Sequence, residues 1–186
     1  MDINRNIIKQ MVAWKNVGFK KPLLLSGARQ IGKTWAMREF GRINYRHVAV
    51  FNFDRTEELQ KVFATTKEPE RLVKELSLHT PSPIIPGETL IIFDEIQECE
   101  PALNSLKYFC EEAPQYHIVA AGSLLGVAVK KKNMSVPVGK VRLLEMHPIT
   151  FSEFLQAASP DVFQYIGNVV SPEPLPEIIF NKLMAE

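Results

Sequence analysis

Residues 27–34 read Gly-Ala-Arg-Gln-Ile-Gly-Lys-Thr, a complete G-x-x-x-x-G-K-[ST] pattern. The apolar run at 23–25 predicts a buried strand before it, and the stretch 35–40 is compatible with a helix for which Gly41 is a plausible end. The two glycines of the pattern let successive backbone N–H groups turn towards an anion, because no Cβ stands in the way. This strand, loop and helix therefore predict a site for the phosphates of a nucleoside triphosphate.

The loop and the residue after it supply the predicted nucleotide contacts. Lys33 is expected to reach the β- and γ-phosphates, and the Thr34 hydroxyl is expected to bind Mg²⁺. Arg29 is expected either to contact a phosphate or a partner subunit, or to stay solvated at the loop tip. The alternative for the whole pattern is a glycine turn that only joins a strand to a helix. The predicted contacts are Gly27, Ala28, Arg29, Gln30, Ile31, Gly32, Lys33, Thr34 and Trp35.

A second pattern at residues 89–95 reads Thr-Leu-Ile-Ile-Phe-Asp-Glu. Four apolar residues followed by two acids are typical of a buried parallel strand with carboxylates at its carboxyl end, where open α/β sheets bind their ligands. Asp94 is expected to hold Mg²⁺, directly or through an intervening ligand, and Glu95 to orient and polarise the attacking water. The alternative is that both acids open a turn or cap the next helix.

A serine follows the next predicted strand. That strand covers 117–121, and Gly122-Ser123 come directly after it. Ser123 is expected to sense the γ-phosphate or the attacking water, although a serine that only caps the following turn fits equally well. The predicted catalytic residues are thus Glu95, Lys33 and Ser123.

The rest of the chain shows further helix and strand patterns. Asp54 is expected to cap a helix that runs to about 64, with Glu57 as the returning carboxylate. Phe151 and Phe154, three positions apart on a predicted helix, are expected to be core anchors. Other helices are predicted over 3–17, 69–78 and 101–113, and other strands over 46–53 and 140–146.

Composition limits the class of protein. With 186 residues, 46% hydrophobic and 23% charged, the chain fits one globular α/β domain. The net charge of +1 does not require nucleic acid or an anionic membrane as a partner. No apolar stretch reaches the roughly 18 residues of a membrane span, and the amino terminus lacks the apolar core of a signal peptide. These features predict a cytoplasmic protein with no membrane partner.

Basic and metal-binding residue types give weaker signals. The run Lys130–Lys132, with Lys140 and Arg142, could touch nucleic acid or a neighbouring subunit's nucleotide, but such a run is more often a solvated loop. The cysteines are expected to be reduced packing residues, and the histidines show no metal-ligand spacing. These residues are Cys99, Cys110, His47, His79, His117 and His147.

The base of the nucleotide is predicted to be adenine. Guanine selection in G proteins uses an Asn-Lys-x-Asp element. The Asn-Lys pair at 181–182 is followed by Leu and Met, so the required Asp is missing. A glutamate directly after Asp94 also fits nucleotide hydrolases that carry their own catalytic glutamate. ATP with Mg²⁺ is therefore the expected cofactor pair.

These motifs together resemble the bacterial and archaeal AAA-like ATPases of the AAA_14 family, which carry a C-terminal domain called DUF4143. The resemblance rests on 22–34, Ile-Phe-Asp-Glu-Ile-Gln at 92–97, Ala-Gly-Ser at 121–123, and a Pro-x-x-Phe-x-Glu-Phe-Leu signature at 148–155. It implies a P-loop NTPase fold, a three-layer αβα sandwich with a mainly parallel five-stranded sheet. It also implies ATP binding, Mg²⁺ and hydrolysis.

The resemblance also sets expectations for the domains. Residues 1–158 are expected to form the AAA-like P-loop ATPase domain, and 159–186 a linker and the start of a helical region truncated before DUF4143. Family members often have Gly-Arg where this chain has Gly139-Lys140, so Lys140 is a weak candidate for an arginine finger, and Arg142 lies nearby. A homo-oligomer or a protein partner is possible for such a domain.

Three functions follow from the sequence. The first is a Mg²⁺-dependent ATPase core, and the second is an ATP-gated switch or scaffold whose slow hydrolysis resets binding to a protein or DNA partner. The third, a small-molecule kinase, would need an acceptor pocket and a lid, for which the sequence shows no signature.

Overall fold

The chain is built from alternating strands and helices, seen here in a computed structural model that describes residues 5–123, 137, 139–167 and 176–185. The strands are β1 (Leu23–Ser26), β2 (His47–Asn52), β3 (Thr89–Asp94), β4 (His117–Gly122) and β5 (Arg142–Glu145). The helices are α1 (Asn6–Lys15), α2 (Lys33–Asn44), α3 (Glu57–Thr65), α4 (Pro69–Leu76), α5 (Glu100–Glu112), α6 (Phe151–Ala158), α7 (Pro160–Gly167) and α8 (Glu177–Ala185). Single 3-10 turns cover Ser77–His79 and Ile96–Glu98.

The strands form one five-stranded sheet in the order β2-β3-β4-β1-β5, and each neighbouring pair is parallel. Alternate residues of β3 face opposite sides: Leu90 and Ile92 pack with α1 and α2, whereas Ile91 and Phe93 pack with α3, α4 and α5. All six residues of β3 are buried, as expected for a central parallel strand. The predicted three-layer αβα sandwich is confirmed.

The strand register brings the carboxyl ends of four strands to the same edge. Ser26 pairs with Gly122 across β1 and β4, and Asn52 pairs with Asp94 across β2 and β3. β4 lies between β1 and β3, so the loops after these three strands open side by side. Parallel pairing thereby collects the sequence motifs at one end of the sheet.

Gly41 does not end the helix as predicted. It lies within α2, which continues to Asn44, and it is buried. A Cβ at this position would lie 2.8 Å from Cγ2 of Val48 and 3.1 Å from Cδ2 of Leu90. The glycine is required because it allows α2 to approach the sheet closely, a reason that the local sequence does not reveal.

The predicted capping pair of Asp54 and Glu57 is also wrong. Helix α3 begins at Glu57 after Thr56, and no side chain caps its amino end. The side-chain oxygen of Asn52 instead accepts hydrogen bonds from the backbone N–H groups of Asp54 and Arg55, at 3.0 and 3.2 Å. This turn follows β2 directly and leaves Asp54 at the carboxyl edge of the sheet.

The aromatic residues of α6 are not core anchors. Phe151 is 65% exposed and Phe154 is only half-buried, whereas Glu153 and Leu155 are buried. Thr150 and Glu153 form a capping box at the start of this helix. The helix therefore buries the face that carries Glu153, and Phe151 points to solvent.

Other predictions agree with the fold. Cys99 and Cys110 are free, buried thiols, and burial raises the pKa of each. Pro101 lies in the first turn of α5, which matches the helix predicted over 101–113. Among the described helices, none is long and apolar enough to cross a membrane.

Candidate functional site

The loop between β1 and α2 has the backbone conformation of an anion-binding turn. Gly27 and Gly32 have φ values of 150° and 90°, and Gln30 has a φ of 63°. A Cβ on Gly27 would lie 2.3 Å from the carbonyl oxygen of Met146, so only glycine fits there without displacing the backbone after β5. The glycines of the pattern thus occupy positions that need them.

Lys33 lies across this loop. Its Nζ donates hydrogen bonds to the carbonyl oxygens of Gly27 and Ala28, at 3.0 and 2.6 Å, and the residue is 7% exposed. Burial lowers the pKa of Lys33, while the charges of Glu95 and Asp94 oppose that shift. The ammonium is therefore held inside the loop and within the electrostatic influence of both predicted acids.

The two sequence motifs meet at Thr34 and Asp94. The Thr34 hydroxyl donates a hydrogen bond to Oδ2 of Asp94 at 3.0 Å, and the Asn52 amide donates to the same oxygen at 3.5 Å. Asp94 is 5% exposed. A buried carboxylate beside a hydroxyl at the first turn of α2 provides two oxygen ligands of the kind that Mg²⁺ prefers.

The donor set of this pair consists of two side-chain oxygens, which are the kind of ligand that Mg²⁺ prefers. Within the described ranges, no group of three or more His, Cys, Asp and Glu residues could hold a metal ion. Mg²⁺ requires octahedral oxygen coordination and usually keeps waters and phosphate oxygens as ligands. Thr34 and Asp94 can supply the protein's share of such a sphere.

Glu95 has an unusual backbone and a specific partner. Its φ is 51°, a left-handed value that is uncommon for a residue with a side chain. The Gln97 amide donates to Oε2 of Glu95 at 2.6 Å and to Oε1 of Glu98 at 3.2 Å. The other amide atom, Oε1 of Gln97, is buried and accepts no hydrogen bond from the residues that the structure describes.

Ser123 lies at the same edge, directly after β4. Nε of Arg29 donates to its hydroxyl at 3.4 Å. This contact joins the tip of the loop to the end of β4, the strand between β1 and β3. Arg29 is exposed but not purely solvated, because it makes this contact. Both side chains thus lie together near the mouth of the site.

An open cleft of about 650 Å³ lies over these residues, a size typical of small-molecule sites. Trp35, which is 49% exposed, forms part of its wall. Asp54, Gln97 and Glu98 also line the cleft and were not predicted as site residues. The lining residues are Arg29, Gln30, Gly32, Lys33, Thr34, Trp35, Asp54, Glu95, Gln97 and Glu98.

Asn52 is another site residue that the sequence reading missed. It ends β2 next to Asp94, and it both donates to that carboxylate and accepts from the turn that carries Asp54. The rule that polar residues at the carboxyl ends of parallel strands gather at one edge could have found it.

The two candidates for an arginine finger lie outside the cleft. Arg142 pairs with Leu23, the first residue of β1, so it lies at the amino edge of the sheet, opposite the loop. Lys140 forms an ion pair with Glu111 at 2.7 Å. Neither residue lines the cleft of its own chain. The run Lys130–Lys132 falls outside the described residues.

Comparison with known families agrees with this geometry. Residues 19–155 match AAA_14, a family described as an AAA domain. The chain belongs to the AAA_14 family. The matched span contains both motifs and ends within α6, so the AAA domain includes the whole sheet.

Solved structures show the same fold. The AAA domain is similar to the Walker-type ATPase PABY2304 of Pyrococcus abyssi, with a TM-score of 0.54 and 18% identity over 98% of this chain and 63% of that chain. It is also similar to a RuvB variant of Thermotoga maritima, with a TM-score of 0.52 and 18% identity over 85% of this chain and 51% of that chain. The chain thus spans less than two thirds of either protein. No curated protein matches the sequence.

Proposed function

We propose that this AAA domain binds ATP with Mg²⁺ in the cleft and hydrolyses it. The observation that carries this proposal is the hydrogen bond of 3.0 Å between Thr34 and Asp94, which joins the two motifs beneath an open cleft. The phosphate loop, residues 27–34, acts as the Walker A motif, and Asp94 with Glu95 acts as the Walker B motif.

The phosphates are bound by the loop and by the start of α2. Backbone N–H groups of residues 27–34 and the positive end of the helix favour a polyanion at this point. Lys33 exchanges its carbonyl partners, Gly27 and Ala28, for phosphate oxygens, which is favourable because an anionic acceptor replaces a neutral one.

Thr34 and Asp94 would hold Mg²⁺ through their side-chain oxygens. An ion at this point would supply positive charge that offsets the charge of the phosphates. Asn52 keeps the Asp94 carboxylate in place through its amide. This arrangement fixes the protein ligands before nucleotide arrives, so little reorganisation is needed on binding.

Glu95 orients the attacking water and accepts its proton. Its carboxylate lines the cleft next to Lys33 and Thr34, and Gln97 holds one of its oxygens. Ser123, directly after β4, and Arg29, at the tip of the phosphate loop, then contact the γ-phosphate. We assign the whole unit to residues 1–158, with 159–186 as the connection to a helical region.

The Glu95→Gln variant tests this proposal. We expect ATP affinity to stay close to that of the wild type, while the hydrolysis rate falls by about a hundredfold or more, because the base is lost and the shape is kept. Unchanged hydrolysis would remove Glu95 from this role. A phosphorylated small molecule among the products would favour a kinase instead.

A second function, an ATP-gated switch with slow turnover, is favoured by the state of the polar groups in the cleft. The Nζ of Lys33 donates to two carbonyl oxygens of the loop in this structure, so it must exchange these partners before it can act on ATP. Tight ATP binding with negligible hydrolysis, and a partner affinity that changes with ATP, would support the switch. Hydrolysis that rises with protein concentration would support an assembled ATPase.

A further inference from the structure

A buried arginine reaches the back of the phosphate loop from the start of α1. Arg5 is 6% exposed, and its Nη1 donates to the carbonyl oxygen of Ile31 at 3.1 Å. Its Nη2 donates to the carbonyl oxygen of His147 at 2.6 Å. Its Nε lies 3.5 Å from Oε1 of Glu153. One guanidinium thus joins α1, the phosphate loop, the segment after β5 and α6.

Glu153 is fixed by several donors of its own. Its Oε1 accepts from the backbone N–H of Asn6 at 2.6 Å, and its Oε2 accepts from the N–H and the hydroxyl of Thr150 at 2.9 and 3.2 Å. Burial raises the pKa of Glu153, but the hydrogen bonds from Thr150 and Asn6 and the charge of Arg5 outweigh it and lower the pKa overall. The glutamate is therefore an ionised anchor for Arg5.

The contact with Ile31 also determines the direction of the next amide. The described peptide bonds include no cis bonds, and in a trans peptide the C=O and the following N–H point in opposite directions. Because Arg5 holds the Ile31 carbonyl on its own side, the N–H of Gly32 is directed away from Arg5. Gly32 has a φ of 90° and directly precedes Lys33, the first residue of α2.

We propose that Arg5, oriented by Glu153, is a positioning residue that holds the Gly32 amide towards the nucleotide phosphates. This inference rests on the proposed function of the loop. An arginine suits the task because its rigid planar fork donates from two separate nitrogens to the carbonyls of Ile31 and His147 while its charge lies beside Glu153. The single nitrogen of a lysine cannot reproduce that geometry. A buried ion pair contributes little net stability in general, so a role in stability alone does not explain the pair well.

The test compares Arg5→Met with a control that lacks contact with the loop. Tyr116→Phe removes a hydrogen bond of 2.8 Å from the Tyr116 hydroxyl to Glu70, at the amino edge of the sheet. NMR order parameters of the amide N–H bonds of residues 27–34 are measured in nucleotide-free protein, and ATP·Mg²⁺ affinity is measured by calorimetry at a temperature where each variant is folded.

We expect Arg5→Met to lower the order parameter of the Gly32 amide from about 0.85, the value of a rigid backbone, to below about 0.6. We also expect it to weaken ATP binding by about tenfold, as loss of one charge-assisted hydrogen bond would do. Tyr116→Phe should change neither. An unchanged order parameter at Gly32, together with an affinity within about twofold of the wild type, would overturn the proposal.

Two conservative variants keep the test decisive if Arg5→Met does not fold. Arg5→Lys retains one donor nitrogen and Glu153→Gln retains the shape of the anchor, so both should show smaller decreases in the order parameter of Gly32. Wild-type values in both variants would contradict the role of Arg5. If the wild type itself binds no ATP, the proposed function fails, while the order parameters still decide whether Arg5 holds the loop.

Discussion

The Thr34 hydroxyl and the Asp94 carboxylate, 60 positions apart in sequence, lie 3.0 Å apart across the edge of the sheet. Thr34 belongs to the first turn of α2 and Asp94 is the last residue of β3. Their contact is possible because the strand order places the ends of β1 and β3 on either side of β4. The geometry supports a shared role for both oxygens at one divalent cation.

The first prediction concerns this pair. We expect Mg²⁺ to increase the ATP affinity of the wild type by about tenfold or more. Asp94→Asn should remove this increase, because the anionic ligand is lost. Calorimetric titration of ATP with Mg²⁺ and with a chelator measures that increase. Glu98→Gln is the matched control, since Glu98 lines the same cleft without contacting Thr34. Equal Mg²⁺ dependence in Asp94→Asn and the wild type would count against the assignment.

Gly41 gives a prediction about stability. Helix propensity alone favours Ala over Gly by about 1 kcal/mol in the middle of a helix. The close approach to Val48, where a Cβ would be 2.8 Å from Cγ2, should reverse this, so Gly41→Ala should lower the free energy of unfolding by about 1–3 kcal/mol. Urea denaturation measures the change. Gly18→Ala, with open space around the added Cβ, should be nearly neutral, and a stabilised Gly41→Ala would refute the packing argument.

Trp35 should report nucleotide binding by its fluorescence. It is 49% exposed and lines the cleft, whereas Trp14, the other tryptophan of the chain, is 6% exposed and donates to the Lys21 carbonyl. ATP·Mg²⁺ should therefore shift the emission of Trp35 and leave that of Trp14 unchanged. The signal should vanish in Trp35→Phe and persist in Trp14→Phe. A signal that survives the loss of Trp35 would place the nucleotide away from this wall.

His117 predicts a loss of stability in acid. Burial, with the charges of Lys20 and Lys15, lowers the pKa of His117 from 6.5 to about 4. Below pH 6.5 the imidazole of His117 is protonated in the unfolded chain, whereas in the folded chain it stays neutral down to about pH 4. The free energy of unfolding therefore falls as the pH is lowered across that interval. Below about pH 4 the loss levels off.

Urea denaturation at a series of pH values can isolate this effect. His117→Asn should show a shallower fall in the free energy of unfolding between pH 6.5 and 4 than the wild type. His79→Asn, at an exposed position, should follow the wild type. Identical pH profiles for His117→Asn and the wild type would show that another group is responsible.

The features that were predictable are those that depend on short stretches of sequence. The run of apolar residues in β3 is continuous because both faces of a central parallel strand are buried, so its position could be read directly. The pairing of Thr34 with Asp94 was also predictable, since the carboxyl ends of parallel strands share one edge.

The features that were missed depend on contacts between distant segments. Gly41 looks like a helix end locally, but its space is taken by Val48. Phe151 looks like a core residue, but the buried face of α6 is the one that carries Glu153 to Arg5. Arg5 itself lies 26 positions before its partner Ile31, and no local pattern marks it.

The most direct test of the central claim is a calorimetric titration of ATP·Mg²⁺ into the wild type and Lys33→Ala. The account predicts a binding heat for the wild type and an affinity about ten to a hundred times weaker for Lys33→Ala, as loss of a charge-assisted phosphate contact implies. Lys21→Ala, which removes a lysine bonded to the Gly139 carbonyl, should match the wild type. Absence of binding by the wild type, or equal affinity in Lys33→Ala, would contradict the account.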